Sequence, residues 1–229
     1  MSVKNSVIVV GGGIMGVQTA YHLALLGHSV TVLDQRDVPN QWAASGDHLR
    51  VFRLTYGKDS FYTEMALKSL PLWLELNALS EETLLLQNGV LELAPKAGGY
   101  EAHSMAVLKE RKIRFEKLMP PDVKKRYPMY RSGAFKWALF HQDGGMIWAS
   151  RSVAATASIA QRKGVNIRNG VRVVSIQKDK NGIKSVKDAA GKVWEAEKFV
   201  FTAGYWSNEL LKPWGIPIKI TKQEQLFLR

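Results

Sequence analysis

Apolar positions near the start of the chain switch between two periods. Ser6–Gly11 (SVIVVG) is the short continuous apolar run of a buried strand, and in Gly13–Gly27 residues Ile14, Val17, Tyr21 and Leu25 recur at helical spacing. Ser29–Asp34 carries a second β-branched run, VTVL. Residues 6–34 therefore read as strand, helix and strand, with the two strands parallel. In HLRVFRLTYG, residues 48–57, the positions Leu49, Val51, Phe52, Leu54 and Tyr56 predict a partly buried strand, with Arg50 and Arg53 set inside it. Arginine is almost never fully buried without a partner, so the two guanidiniums call for an anion. Phe61–Leu79 predicts a helix that buries Met65, Leu72, Leu76 and Leu79. Leu84–Ala94 holds the step Asn88-Gly89 between apolar runs, the strongest short hairpin signal.

Further on, residues 99–112 predict a helix and Phe135–His141 a strand. Ser150–Lys163 is Ala-rich and helical, with Gly164 as its C-terminal stop. Short strands follow at Val165–Arg168, Val171–Gln177 and Ile183–Val186, the last two joined by a turn at Lys180-Asn181-Gly182. Lys198–Thr202 closes on Ala203-Gly204. The α/β pattern of the first 80 or so residues thus resumes near 147, beyond a stretch that looks antiparallel. The fold class expected is α/β: a nucleotide-binding domain, discontinuous in sequence, with an inserted antiparallel α+β domain. Its parts are 1–83 and 147–215, the insert is 84–146, and 216–229 begins a further strand.

Composition narrows the classes. Hydrophobic content of 46% and charged content of 23% are globular values, and no apolar run approaches the ~20 residues of a membrane span. The net charge of +12 raises the question of nucleic acid, but the densest basic run, 109–127, interleaves Glu110, Glu116 and Asp122 with the packing positions Ile113, Phe115 and Leu118. That run reads as a solvated face, so no nucleic-acid partner is expected. The absence of cysteine excludes a disulfide framework and a thiolate site, in keeping with a cytoplasmic setting.

Gly11-Gly12-Gly13-Ile14-Met15-Gly16 matches G-x-G-x-x-G where a strand ends and a helix opens, the context that gives the pattern a mechanism. Gly11 makes the tight turn, Gly13 lets backbone N–H groups approach a pyrophosphate, and Gly16 allows close helix–strand packing. The helix N-terminus favours the anion. Asp34 ends the second strand 18 positions after Gly16, where its carboxylate can accept from a ribose hydroxyl. This is a Rossmann-like fingerprint for FAD or NAD, and by itself it does not choose between them.

Three stretches in order, GGGIMG, then SGDHLRVFRLTYG at 45–57, then FTAGYW at 201–206, resemble the D-amino-acid-oxidase superfamily of FAD-dependent oxidoreductases. The nearest likeness is to the monomeric sarcosine oxidase and N-methyl-amino-acid oxidase group. Its R-x-x-R-x-x-Y-G core is present here as Arg50, Arg53, Tyr56 and Gly57, followed by Leu72-Trp73. The resemblance implies an FAD-binding domain with an inserted substrate domain, and oxidation of the C–N bond of a secondary or primary amino acid. It implies that Arg50 lies against the flavin and that Arg53 holds the substrate carboxylate. It also implies cofactor contacts at Gly11, Gly13, Ile14, Met15, Gly16, Asp34, Gln35, Ala44, Ser45, Val173, Ala203, Gly204 and Trp206. The partner expected is a small amino acid or amine with a carboxylate. The alternative for the two arginines is pairing with acids of the fold such as Asp47 or Glu64. The alternatives for the whole chain are a non-catalytic flavin-binding subunit and an NAD-linked dehydrogenase.

Members of that group run well beyond 229 residues. The resemblance therefore makes this chain an N-terminal part, or one partner of an oligomer. On that expectation it lacks the lysine near the flavin N5, the second carboxylate-binding cation and the tethering cysteine that some members carry.

Overall fold

A computed structural model describes residues 5–131, 133–180, 182–222 and 224. In chain order the elements are β1 (Ser6–Val10), α1 (Ile14–Leu25), β2 (Ser29–Leu33), β3 (Leu49–Phe52), α2 (Ser60–Ser80), β4 (Leu85–Leu86) and β5 (Val90–Ala94). They continue with α3 (Tyr100–Glu110), β6 (Glu116–Leu118), α4 (Pro120–Arg126), β7 (Trp137–His141), β8 (Gly145–Trp148) and α5 (Ala149–Arg162). The last are β9 (Asn166–Arg168), β10 (Val173–Asp179), β11 (Gly182–Asp188), β12 (Val193–Glu195), β13 (Lys198–Phe201) and α6 (Ser207–Leu211). The chain divides into two compact units, Met1–Asp47 with Ser150–Arg229, and His48–Ala149.

The first unit is built on a parallel sheet in the order β13-β1-β2-β9. Strand β1 is apolar at every position after Ser6 because both of its faces are covered, as in doubly wound α/β sheets. Val7 and Val9 pack with Ala20, Ala160 and Val165 on the side of α1 and α5. Ile8 and Val10 pack with Val173 and Val186 of the antiparallel sheet β10-β11-β12 on the other. The stripe on α1 is narrower than its periodicity suggests. Gly16, Val17 and Ala20 are buried, whereas Leu25 is half exposed, because small residues let the helix lie close to β1.

The second unit contains the antiparallel sheets β3-β8-β4 and β5-β7-β6. Residues 48–83 belong to it, whereas the sequence division groups them with the nucleotide-binding part. The reason is that β3 pairs with β8, and Phe52, Leu54 and Ala66 share a core with Leu85, Leu108, Trp137 and Leu139. Two further expectations are corrected. The Asn88-Gly89 step does not close a hairpin: β4 pairs with β8 and β5 pairs with β7, so the chain crosses from one sheet to the other there. Gly89 is required by its positive φ of 83° and by the Phe140 ring, 2.5 Å from where a Cβ would stand. On α2 the buried positions are Thr63, Ala66 and Leu76, while Met65, Leu72 and Leu79 are exposed; the Thr63 hydroxyl donates to the Leu54 carbonyl and turns that face inward.

The strand expected over 48–57 is regular only at Leu49–Phe52, and Val51 points to solvent. Asn181 of the predicted β10–β11 turn lies outside the described residues. So do residues 223 and 225–229 of the strand expected from 216, and Ile216–Lys222 carry no regular structure. Among the described residues no helix is long and apolar enough to cross a membrane.

The β11–β12 turn is tied by Asp188. Its Oδ1 accepts from the N–H groups of Ala190 and Lys192, and its Oδ2 accepts from the Trp194 indole. These bonds, the Trp194 bond foremost, serve the ionised form and hold its pKa below the ordinary value. In the unfolded chain the carboxyl titrates in the ordinary range. Its contribution to stability is therefore complete above that range and is lost as pH falls through the lower folded value. Urea unfolding of Asp188→Asn should show a lower midpoint than the parent at about pH 6, with the gap closing toward about pH 3. A gap that stays constant with pH would remove the carboxylate from this account.

Candidate cofactor and substrate site

The glycine-rich turn between β1 and α1 is shaped by contacts that exclude side chains. Gly11 has φ 107°, and a Cβ there would stand 2.5 Å from the Thr202 carbonyl oxygen beyond β13. A Cβ on Gly16 would lie 1.8 Å from the Gly11 carbonyl oxygen, so only glycine lets α1 sit this close to β1. Gly13 caps α1 with extended backbone and no side-chain cap. Ser45 stands over the same turn, its Oγ accepting from the Ile14 N–H at 3.1 Å. Ile14 is half-buried, and Met15 is largely exposed on the first turn of the helix.

Asp34 follows β2. Its Oδ2 accepts from the Gly12 N–H at 2.6 Å and its Oδ1 from the Arg36 N–H at 2.8 Å. An ionised carboxylate has about four acceptor positions, so two bonds leave capacity for a hydroxyl donor. Gln35, next along, is half-buried, and Ala44 is exposed in the loop that carries Ser45. Val173 is buried at the start of β10. After β13 the Trp206 N–H donates to the Ala203 carbonyl, Gly204 has φ 56° with open space about it, and the Trp206 ring stacks on Tyr205 at 3.8 Å. The parallel pairing of β1 with β13 sets Gly11 beside the segment 202–204. The sequence reading missed Thr202, whose hydroxyl donates to the Gly11 carbonyl at 2.9 Å; its place at the end of an apolar strand was the available signal.

These features fit a dinucleotide: the glycines leave the backbone bare where a pyrophosphate would approach, the N-cap residue Gly13 brings no side chain to the helix end behind it, and a carboxylate stands at the end of the second strand.

Arg50 and Arg53 lie in the second unit. Arg50, on β3, donates to the Leu49 carbonyl at 2.7 Å and is half-buried. Arg53 follows the strand in a segment held from three sides. The Gly57 N–H donates to the buried Ser104 hydroxyl, the Tyr100 hydroxyl donates to the Thr55 carbonyl, and Thr63 holds Leu54. The Arg53 guanidinium lies over the rings of Tyr56 and Tyr100, at 5.2 and 5.8 Å from their centroids.

Its acid is Glu92 at 3.7 Å, neither Asp47 nor Glu64; Glu64 pairs with Arg111 instead. Glu92 Oε1 accepts from the Thr55 hydroxyl, and Oε2 is buried without a hydrogen-bond partner among the described residues. Desolvation pushes the Glu92 carboxyl up, against the lowering effects of Thr55 and Arg53. Burial likewise raises the Tyr100 phenol. Glu92, Thr55 and Tyr100 went unread as site residues in the sequence. The signal for Glu92 was an acid on the same strand face as the apolar Val90 and Ala94.

The fold and the turn define a dinucleotide-binding domain of the Rossmann-like type. The family pattern "FAD dependent oxidoreductase" matches residues 6–229, and the chain belongs to that family. FAD is thereby its cofactor, which decides the choice that the glycine fingerprint leaves open. The chain is 30% identical over 213 residues to the peroxisomal sarcosine oxidase of Homo sapiens, covering 93% of this chain and 54% of that protein. It is 27% identical to the monomeric sarcosine oxidase of Bacillus sp. (strain B-0618), covering 99% and 58%. Among solved structures it is similar to the open form of NikD, described as an unusual amino acid oxidase essential for nikkomycin biosynthesis. That match has a TM-score of 0.80 and 29% identity, over 93% of this chain and 54% of that one. The chain thus spans little more than half the length of these relatives.

Gly16→Ala should push α1 off β1, costing about 1–3 kcal/mol of stability by overpacking and weakening FAD binding with it. Asp34→Ala should weaken FAD binding by about 1–3 kcal/mol, since it removes an acceptor with capacity for a hydroxyl donor and takes away the partner of two N–H groups. Both are read by fluorescence titration of FAD and urea unfolding. Unchanged FAD affinity in Asp34→Ala would count against the ribose role.

Proposed function

We propose that this chain forms the FAD-binding half and part of the substrate pocket of an enzyme that oxidises the C–N bond of a secondary or primary amino acid. The observation that carries the reading is Arg53. It is a partly exposed guanidinium held on two aromatic faces, in a chain whose relatives include sarcosine oxidases and an amino acid oxidase. At 3.7 Å from Glu92 it makes an ion pair without a hydrogen bond, so Glu92 takes none of its N–H donors. A planar fork with donors to spare suits a carboxylate bidentately, which a lysine at the same place would not do.

In this reading the Gly11–Gly16 turn and α1 hold the pyrophosphate of FAD, and Asp34 holds the ribose. Gln35 and Val173 serve the adenosine end. Ala44, Ser45, Arg50, Ala203, Gly204 and Trp206 serve the remainder. Bound FAD supplies the two-electron acceptor. Arg53 fixes the substrate by its carboxylate, which orients the carbon that loses hydride, while the amine nitrogen gives up a proton. The imine so formed is hydrolysed by water to a carbonyl compound and an amine. Arg50, a permanent cation, would favour the electron-rich form of bound FAD.

Arg53→Met in the whole protein should lower kcat/KM for an amino acid substrate by one to two orders of magnitude, the equivalent of a charged hydrogen bond of about 1.5–3 kcal/mol. FAD content should stay at the parent level. Turnover assayed as imine-derived carbonyl product with sarcosine and cyclic amino acids, beside the FAD absorbance, makes the test. Normal kinetics with lost flavin would make Arg53 a structural residue. An absence of turnover in the parent, with FAD bound, would favour a non-catalytic flavin-binding subunit.

A further inference from the structure

The carboxylate reading of Arg53 leaves Glu92 unexplained. A carboxylate facing the cation that is meant to receive a carboxylate looks like a defect. Its surroundings are nevertheless built with care. Glu92 stands on β5 opposite Leu139 of β7, on the sheet face that also carries Ala94 and Trp137, and its side chain is 13% exposed. Thr55, itself fully buried, donates to Oε1, and Tyr100 in turn anchors Thr55 through its carbonyl. Among the described residues nothing donates to Oε2. A buried carboxylate oxygen left unpaired is costly when ionised. A carboxyl kept there solely to neutralise Arg53 would be expected at hydrogen-bonding distance from it, and it is not.

We propose that Glu92 is a positioning residue for Arg53, an internal carboxylate that orients the guanidinium and whose charge sets how tightly Arg53 holds the substrate carboxylate. The inference rests on the reading of Arg53 as the carboxylate site. When Glu92 is ionised, it orients the guanidinium over Tyr56 and Tyr100 and offsets part of the positive field felt by an incoming anion. When it is neutral, Arg53 faces the anion with its full charge. The groups that act on Glu92 are Thr55 and Arg53 from the segment after β3, and Tyr100 and Glu101 from α3. Further along the same face of β7 is His141, which burial keeps neutral with a pKa lowered to about 4. Desolvation raises the carboxyl of Glu92 above the ordinary carboxylate value, so the switch falls on the near-neutral side of that value. The sign follows: affinity for an anion rises as pH falls through the Glu92 titration.

Trifluoroacetate is a suitable probe because it stays ionised throughout the range. Its binding to the protein is followed by 19F NMR from about pH 8 down to about pH 4, a range that includes the ordinary glutamate value and everything above it. The wild type should bind it about tenfold more tightly at the acid end. Glu92→Gln should bind at the tighter level across the whole range, with a flat profile. Thr55→Val removes the bond that favours the ionised form, so it should keep the wild-type transition and move it to higher pH; it also serves if Glu92→Gln fails to fold. Arg53→Met should abolish binding at every pH. A flat wild-type profile, or parallel profiles in wild type and Glu92→Gln, would overturn the role of Glu92 while leaving Arg53 as the carboxylate site. Undiminished binding in Arg53→Met would overturn the reading of Arg53 itself.

Discussion

Residues Val7–Val10 pair in parallel with Lys198–Phe201, and the rest of the first unit depends on that pairing. It joins positions about 190 apart in sequence, so the chain must leave after Asp47 and come back at Ser150 before its central sheet is complete. Closing so long a loop costs little more than closing a shorter one, because the entropic penalty grows only with the logarithm of length. The exit and return are clamped: the Ser150 N–H and hydroxyl both donate to the Asp47 carbonyl, and the hydroxyl also donates to Gly46. The pairing then brings Thr202 against Gly11 so closely that only a glycine fits. In this way one set of backbone hydrogen bonds shapes both the glycine turn and the 203–206 turn.

The second unit solves a different problem, which is how to keep an arginine available. Arg53 lies on two tyrosine rings instead of sinking into a tight ion pair, and its segment is pinned by Thr63, Ser104 and Tyr100 through bonds to backbone. Gly57 permits this. Its φ of 63° and the Tyr100 ring 2.9 Å from its would-be Cβ make the turn and the aromatic wall a single feature. The pinned backbone lets the side chain keep its charge partly exposed without losing its place.

The parallel β1–α1–β2 unit, its glycine turn and Asp34 were legible in the chain alone. Their causes are local: a β-branched run, a helical period, and glycines spaced as the backbone geometry requires. The same holds for α3, α5 with Gly164 after it, and β13. The face of α2 was misread because apolar residues occur all around that helix. Periodicity then cannot tell which side is covered, and Thr63, a polar residue, turned out to point inward. The Asn88-Gly89 step was misread for a related reason. Local turn chemistry marked a glycine that does adopt a positive φ, but which strands pair on either side of it depends on β7 and β8, residues 137 to 148.

What the sequence by itself determined is the β1–α1–β2 unit, its glycine turn and the place of Asp34 at the end of β2, since backbone conformation there is dictated residue by residue. What only the tertiary structure decided is the company of Arg53. Glu92 is 39 positions away by number on β5, and Tyr100 is on α3; strand pairing and core packing bring them together, and no spacing along the chain encodes that meeting. A charge takes its partners from space. The acid that neighbours Arg53 was therefore beyond the reach of any reading along one dimension, although its place among apolar neighbours on β5 already marked it as an acid in need of a reason.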